Sequence, residues 1–357
     1  MDDYDLEYTY YMCTFELKEV TSFAFQTTIL NCLFGYIDIT KSHNTIYEMF
    51  HLIKEAFRKL LYEKEWIDVK SRIKTFEKLR LMKFFFNYDG DLYSTITMDK
   101  VYGNLFLAPD DNFNVARTKM NMFMISANSA NPKLFNVDVD PLELNAAYEV
   151  NENMFKAYIG LLRKPTYDNE FLTSMKYGGY GSIIGHEIIH GFSEEGLSYN
   201  GKKENVNIFS DYSLEEYNKR KKCILSQYSN HVESISKINV NGKLTLSENI
   251  ADNGGIKIAY NAYKKYSEKY GSEKNESPRF NKYSNEQLFF ISFAQSMCRK
   301  MNSAGGKDTI ENDDHSPSEA RVLLTLGNYK EFSNAFNCPV GSRMNPSSRC
   351  EVWKFNN

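Results

Sequence analysis

Residues 178 to 192 read GGYGSIIGHEIIHGF, and the spacing of His186, Glu187 and His190 within them decides what the rest of the chain must build. At about 3.6 residues per turn, His186 and His190 lie one turn apart on one helical face, where two imidazoles can close on a single metal ion. Glu187 points aside, free to take a proton from a water held at that metal. This is the physical content of the H-E-x-x-H pattern: two neutral imidazoles bind zinc, and the carboxylate between them serves as a base rather than a ligand. A purely structural reading competes with it, since Ile183, Ile184, Ile188 and Ile189 would suit a half-buried core helix. Against that stands the cost of burying two of the chain's 6 histidines without partners, a cost that coordination removes.

A hydrolytic zinc site needs a third protein ligand and an open fourth position. Residues 244 to 263, LTLSENIADNGGIKIAYNAY, offer one, because Glu248 and Asp252 are one turn apart on a second helix packed through Ile250, Ala251, Ile256, Ile258 and Ala259. Glu248 is assigned as the ligand. Asp252 is assigned as the carboxylate that fixes one zinc-bound imidazole, a partner such sites nearly always have. The competing reading is that Thr245 to Glu248 is only a helix-capping box.

Read together, HEIIHGF, SENIADNGG, the HSPSEAR of residues 315 to 321, CPVGSRMNP and CEVW resemble the neprilysin family of zinc endopeptidases (peptidase family M13). The resemblance is strongest from Leu144 onward and weaker from about Tyr8 to Lys83. It implies an α+β fold, a thermolysin-like zincin catalytic domain with active-site helices and a small sheet, preceded by part of a mainly helical domain. The expected division is 1–104 for the partial helical domain and 105–357 for the catalytic domain. One zinc ion and short peptide substrates, cut on the amino side of hydrophobic residues, are implied in the same way.

Further roles follow from matching positions. Asn145 and Ala146 correspond to the family's Asn-Ala on an edge strand, which holds the substrate backbone by strand addition. Ala147 stands where an aromatic residue is usual, which suggests a roomier subsite. His315 matches the residue that stabilises the transition state, and an imidazole aimed at a developing oxyanion is suited to that task. Arg321 matches the substrate-binding Arg, whose planar fork grips a carbonyl or carboxylate. Among the cysteines, Cys223 and Cys350 match a bonded pair. Cys298 and Cys338 match residues whose partners lie in an N-terminal region without counterpart here, Cys13 resembles another such orphan, and Cys32 has no clear counterpart. Ser193 replaces an Asp, and Met297 a Trp.

Composition supports a globular chain, with 42% hydrophobic residues and no apolar run of the length a membrane span needs. A net charge of -3 gives no argument for nucleic-acid binding, and Lys-rich stretches alternate with Glu and Asn as solvated faces do. The start, MDDYDLEYTYYMCTF, is acidic and aromatic, unlike a secretory signal. The resemblance nevertheless implies an extracellular or plasma-membrane ectodomain, and the chain reads as the C-terminal portion of one. The alternatives are a catalytically weak or silent zinc-stabilised binding module, or a truncated fragment of a longer peptidase.

Spacing also predicts an amphipathic helix over 45–61, a second after Asp68 that buries Val69, Ile73, Phe76 and Leu79, a third over 101–124, and strands in KLFNVDVD, LELNAAYEV and MFKAYIG.

Overall fold

The structure, a computed structural model, describes residues 12, 14–16, 18, 22–33, 36–86, 94–130, 142–275, 277–278 and 280–355. In chain order the helices are α1 (Ser22–Leu33), α2 (Tyr36–Tyr62), α3 (Val69–Leu81), α4 (Thr95–Tyr102), α5 (Phe113–Ala130), α6 (Thr173–Lys176), α7 (Ser182–His190), α8 (Asp211–Ser229), α9 (Leu246–Tyr270), α10 (Asn285–Ser296), α11 (Ser303–Asn312), α12 (Ser318–Gly327) and α13 (Lys330–Ala335). The strands are β1 (Lys83–Phe86), β2 (Ala146–Glu149) and β3 (Met154–Ala157). This is the α+β arrangement expected, mainly helical with one small sheet.

Contacts divide the chain into two compact units. One comprises Met1–His43, Phe86–Leu144 and Tyr158–Gly160, and in it the rings of Tyr102 and Phe123 stack at 5.6 Å between α4 and α5. The single helix expected over 101–124 is two helices instead. Gly103 ends α4, and Pro109, which cannot sit inside a helix, lies in the break before α5.

The other unit comprises Asn44–Phe85, Asn145–Ala157 and Leu161–Asn357. Its share of α2 buries the stripe read from spacing: Ile46, Met49, Phe50, Ile53, Phe57, Leu60 and Leu61 are all at most 2% exposed. Phe57 meets Phe192 edge-on at 5.0 Å and Trp353 at 5.4 Å, so the residue just past the zinc-type motif is locked into the aromatic core. Each such side chain contributes about 1.5 to 3 kcal/mol by leaving water.

Helix α3 behaves differently. Asp68 caps it as expected, accepting from the Ser71 N–H at 2.8 Å. Val69 and Ile73, however, are 71% and 64% exposed, and the buried face is Ser71, Thr75, Lys78 and Leu79. The helix docks through polar groups. Ser71 Oγ accepts from the Ser210 N–H, and the fully buried Lys78 ammonium donates to the carbonyl oxygens of Gly196 and Tyr199, the latter at 2.8 Å. It also lies 5.7 Å and 5.8 Å from the ring centres of Tyr148 and Phe192.

The sheet order is β1-β3-β2, with Ala146 opposite Ala157 and Glu149 opposite Met154, so β2 is an edge. Asn153 makes the turn possible by adopting a left-handed conformation (φ 48°). Its side chain donates to Lys78 O and accepts from Tyr148 OH at 2.8 Å, which fastens the β2–β3 turn to α3. The segment KLFNVDVD lies outside the described residues.

A disulfide joins Cys223 of α8 to Cys350, 127 positions later. Closing a loop of that length removes about 4 to 5 kcal/mol of unfolded-chain entropy in the simplest account. Among the described residues Cys32, Cys298 and Cys338 are free thiols, and Cys13 lies outside them. No described helix is long and apolar enough to cross a membrane.

Candidate metal centre

Helix α7 presents the motif and α9 brings the third donor to it. The two helices approach so closely that a side chain between them is impossible: a Cβ on Gly185 would stand 2.4 Å from Gly255 O, and one on Gly255 would stand 2.4 Å from His186 N. That contact sets His186 against the turn of α9 that carries Glu248 and Asp252. His186 Nε2 lies 2.9 Å from His190 Nε2 and 2.9 Å from Glu248 Oε2, and His190 Nε2 lies 3.3 Å from Glu248 Oε1. One donor atom from each residue falls within 4.8 Å of the others.

Thr245 precedes α9 without capping it, its hydroxyl turning back to Asn241 O at 3.0 Å. Glu248 is therefore not half of a capping box; it faces the imidazoles. Asp252, almost fully buried, accepts from His186 Nδ1 at 2.8 Å. With a proton held there, His186 directs Nε2 towards His190 and Glu248, and a metal ion binding at Nε2 would displace the proton that the neighbouring carboxylates favour. Glu248 Oε2 is also buried, and it faces Nε2 of His186 and of His315. Lone pairs converging on one buried point repel unless a cation lies among them, and two imidazoles with a carboxylate are a donor set that suits Zn2+. The residues fit the ion.

Electrostatics follow from the same crowding. Burial works against the His186 imidazolium, yet hydrogen bonds and attraction from Asp252 and Glu248 outweigh it and push its pKa up to about 10. Burial pushes the Glu187 carboxyl above its usual range, opposed by the charges of His186 and His190 and by a hydrogen bond from the Tyr148 N–H. That amide belongs to β2, so the edge strand touches the candidate base directly. Burial also disfavours the Asp252 carboxylate, but Arg321 and His186 hold it well below the usual carboxylate range.

Arg321 lays its fork on Asp252, with Nε at 2.7 Å from Oδ2 and Nη2 at 2.7 Å from Oδ1. One carboxylate thus orients both an imidazole and a guanidinium. His315 stands beside Glu248, Nε2 to Oε2 3.2 Å, with Nδ1 held by Asp313 at 3.0 Å and Asp314 at 2.9 Å. Its pKa is raised, chiefly by Glu248 against burial. Asn145 and Ala146 open the edge strand, the Asn145 side chain accepting from the Ala146 N–H at 2.9 Å. Ser193 Oγ donates to His190 O at 3.0 Å, closing the end of α7.

The nine residues singled out from sequence thus lie on α7, α9, α12, the loop before it, β2 and, for Asn145, the position just before β2. Sequence reasoning passed over the glycine pair that lets α7 and α9 meet, and Tyr148, whose amide reaches Glu187. The adjacent glycines in DNGG were the available signal for the first; nothing local signals the second.

The family model described as Peptidase family M13 matches residues 145–352. Neprilysin-1 of Caenorhabditis elegans is 35% identical over 322 residues, covering 89% of this chain and 43% of that protein. Endothelin-converting enzyme 1 of Mus musculus is 34% identical over 315 residues, covering 87% and 40%. The chain therefore spans less than half the length of these relatives. Among solved structures, the zinc metalloprotease ZMP1 of Mycobacterium tuberculosis, determined with an inhibitor, superposes with a TM-score of 0.74 at 24% identity over 95% of this chain and 50% of that one. A family match over more than half the sequence, joined to a third of residues shared with relatives such as these, makes this chain a member of peptidase family M13.

Proposed function

We propose that the chain is a zinc endopeptidase that hydrolyses short peptides on the amino side of hydrophobic residues, with a catalytic domain over 105–357 and part of a helical domain before it. The observation that carries this is the unbalanced donor set: His186, His190 and Glu248 converge, while Glu187 lies beside them and is not needed as a ligand. A single Zn2+ held by those three would supply Lewis acidity, polarising the scissile carbonyl and making water more acidic. An extended substrate pairs with the β2 edge at Asn145 and Ala146, which positions its carbonyl without reading much side-chain sequence. Glu187 takes the proton of the attacking water and delivers it to the leaving amine; its raised pKa suits both tasks. His315 hydrogen-bonds the oxyanion of the tetrahedral adduct. Arg321, with Nη1 left over from its pair with Asp252, binds a substrate carbonyl. The cross-link Cys223–Cys350 supports an oxidising, extracellular or cell-surface setting.

The test is zinc stoichiometry by mass spectrometry together with cleavage of a short peptide panel. One zinc per chain, cleavage before apolar residues, and a Glu187→Gln variant that keeps zinc but loses at least about a hundredfold in kcat are expected. A zinc-loaded wild-type chain that cleaves nothing would identify a binding module instead.

A further inference from the structure

We propose that Ser316, anchored by Asn249 and Thr245, is a positioning residue that holds His315 against the metal centre, an inference that rests on the role given to His315 above. His315 belongs to the short loop between α11 and α12, and its side chain is 43% exposed. Its neighbours Asp313 and Asp314 belong to the same loop, so they orient the ring but cannot fix the loop in place. The fixing is done one residue on.

Ser316 turns inward and is 3% exposed. Its hydroxyl donates to Asn249 Oδ1 at 2.7 Å, Asn249 Nδ2 donates to Thr245 Oγ1 at 2.9 Å, and Thr245 Oγ1 lies 3.0 Å from Ser316 Oγ. Thr245 Oγ1, its own proton on Asn241 O, is thus an acceptor in this cluster, and both Asn249 and Thr245 are wholly buried. Asn249 follows Glu248 directly on α9, so one helical turn carries the ligand on one side and the loop anchor on the other. Pro317 comes next, its backbone fixed and its carbonyl accepting the Ala320 and Arg321 N–H groups that start α12. His315 is thus pinned between a buried Ser–Asn bond and a helix start, in the register that sets its Nε2 beside Glu248. A loose loop would let that ring drift, and displacements of about 1 Å are enough to cost a large factor in rate.

The experiment is a double-mutant cycle on the zinc-loaded chain with a short peptide substrate. Ser316→Ala should lower kcat about tenfold with KM and zinc content unchanged, and should cost nothing further in a His315→Ala background. Losses that multiply, or a wild-type kcat in Ser316→Ala alongside an impaired His315→Ala, would overturn the proposal. The proton NMR signal of the His315 ring gives a second readout, assigned among 6 histidines by its loss in His315→Ala. It should shift and broaden in Ser316→Ala while those of His186 and His190 stay; an unmoved signal refutes the anchor. If His315→Ala itself keeps full kcat, the catalytic role of His315 fails, and the NMR readout still decides whether Ser316 holds the loop. Should Ser316→Ala fold poorly, Thr245→Val must show the same non-additivity and the same signal change.

Discussion

Two buried polar assemblies in the larger unit are built from similar materials to opposite ends. In the first, His186, His190 and Glu248 turn metal-ligating atoms towards one point. In the second, Lys78 meets two carbonyls and two aromatic faces, while Asn153 answers both Lys78 O and Tyr148 OH. The second closes on itself. An assembly that needs nothing more is scaffold, whereas one that leaves like partial charges facing each other is built for a ligand.

That contrast can be broken in four ways, the largest first. Glu248→Ala should lower zinc affinity by about a thousandfold or more, beyond the ten- to hundredfold typical of an outer partner, and abolish hydrolysis with it; stoichiometric zinc in this variant, measured by mass spectrometry after dialysis, would move the third ligand elsewhere. Lys78→Met should cost about 1 to 3 kcal/mol in chemical denaturation, since the buried Gly196 carbonyl and the half-buried Tyr199 carbonyl lose the ammonium donor, yet leave zinc affinity untouched in the folded protein. A zinc defect there would show that the two assemblies are not separable. Asp252→Ala should weaken zinc about ten- to a hundredfold and free the Arg321 fork, read out by competition with a chelator.

The smallest effect concerns acid. Burial disfavours the Asp68 carboxylate, but hydrogen bonds from Ser210, Ser71 and Ser213 lower its pKa to about 2. A carboxyl depressed in the folded state contributes stability that is present above its unfolded value near 4 and is lost as the pH falls towards 2. Asp68→Asn should therefore be slightly less stable at pH 6 and flatten that part of the acid unfolding curve; an unchanged curve would remove Asp68 from the docking of α3.

What could be read in the sequence follows the same line. The stripe of α2 was legible because apolar residues at helical spacing state which side is buried. For α3 the same rule found Leu79 but put Val69 and Ile73 on the buried side in error, since Ser71 and Lys78 bury themselves against groups more than a hundred residues away, and periodicity counts apolar side chains alone. Likewise the convergence of His186, His190 and Glu248 was within reach, because few arrangements explain those residue types at those spacings. The glycine contact between α7 and α9, strand β1, and the cluster of Ser316, Asn249 and Thr245 depend on which segments meet, and no local pattern states that.

The cross-link between Cys223 and Cys350 also imposes an order in time. A chain made from its N-terminus has exposed His186, Glu248, His315 and Arg321 to its surroundings before residue 350 exists, so the bond cannot assist the first meeting of those residues during synthesis. It acts as a late latch, and a reductant present during synthesis should lower the yield that survives later heating more than it lowers the amount that folds.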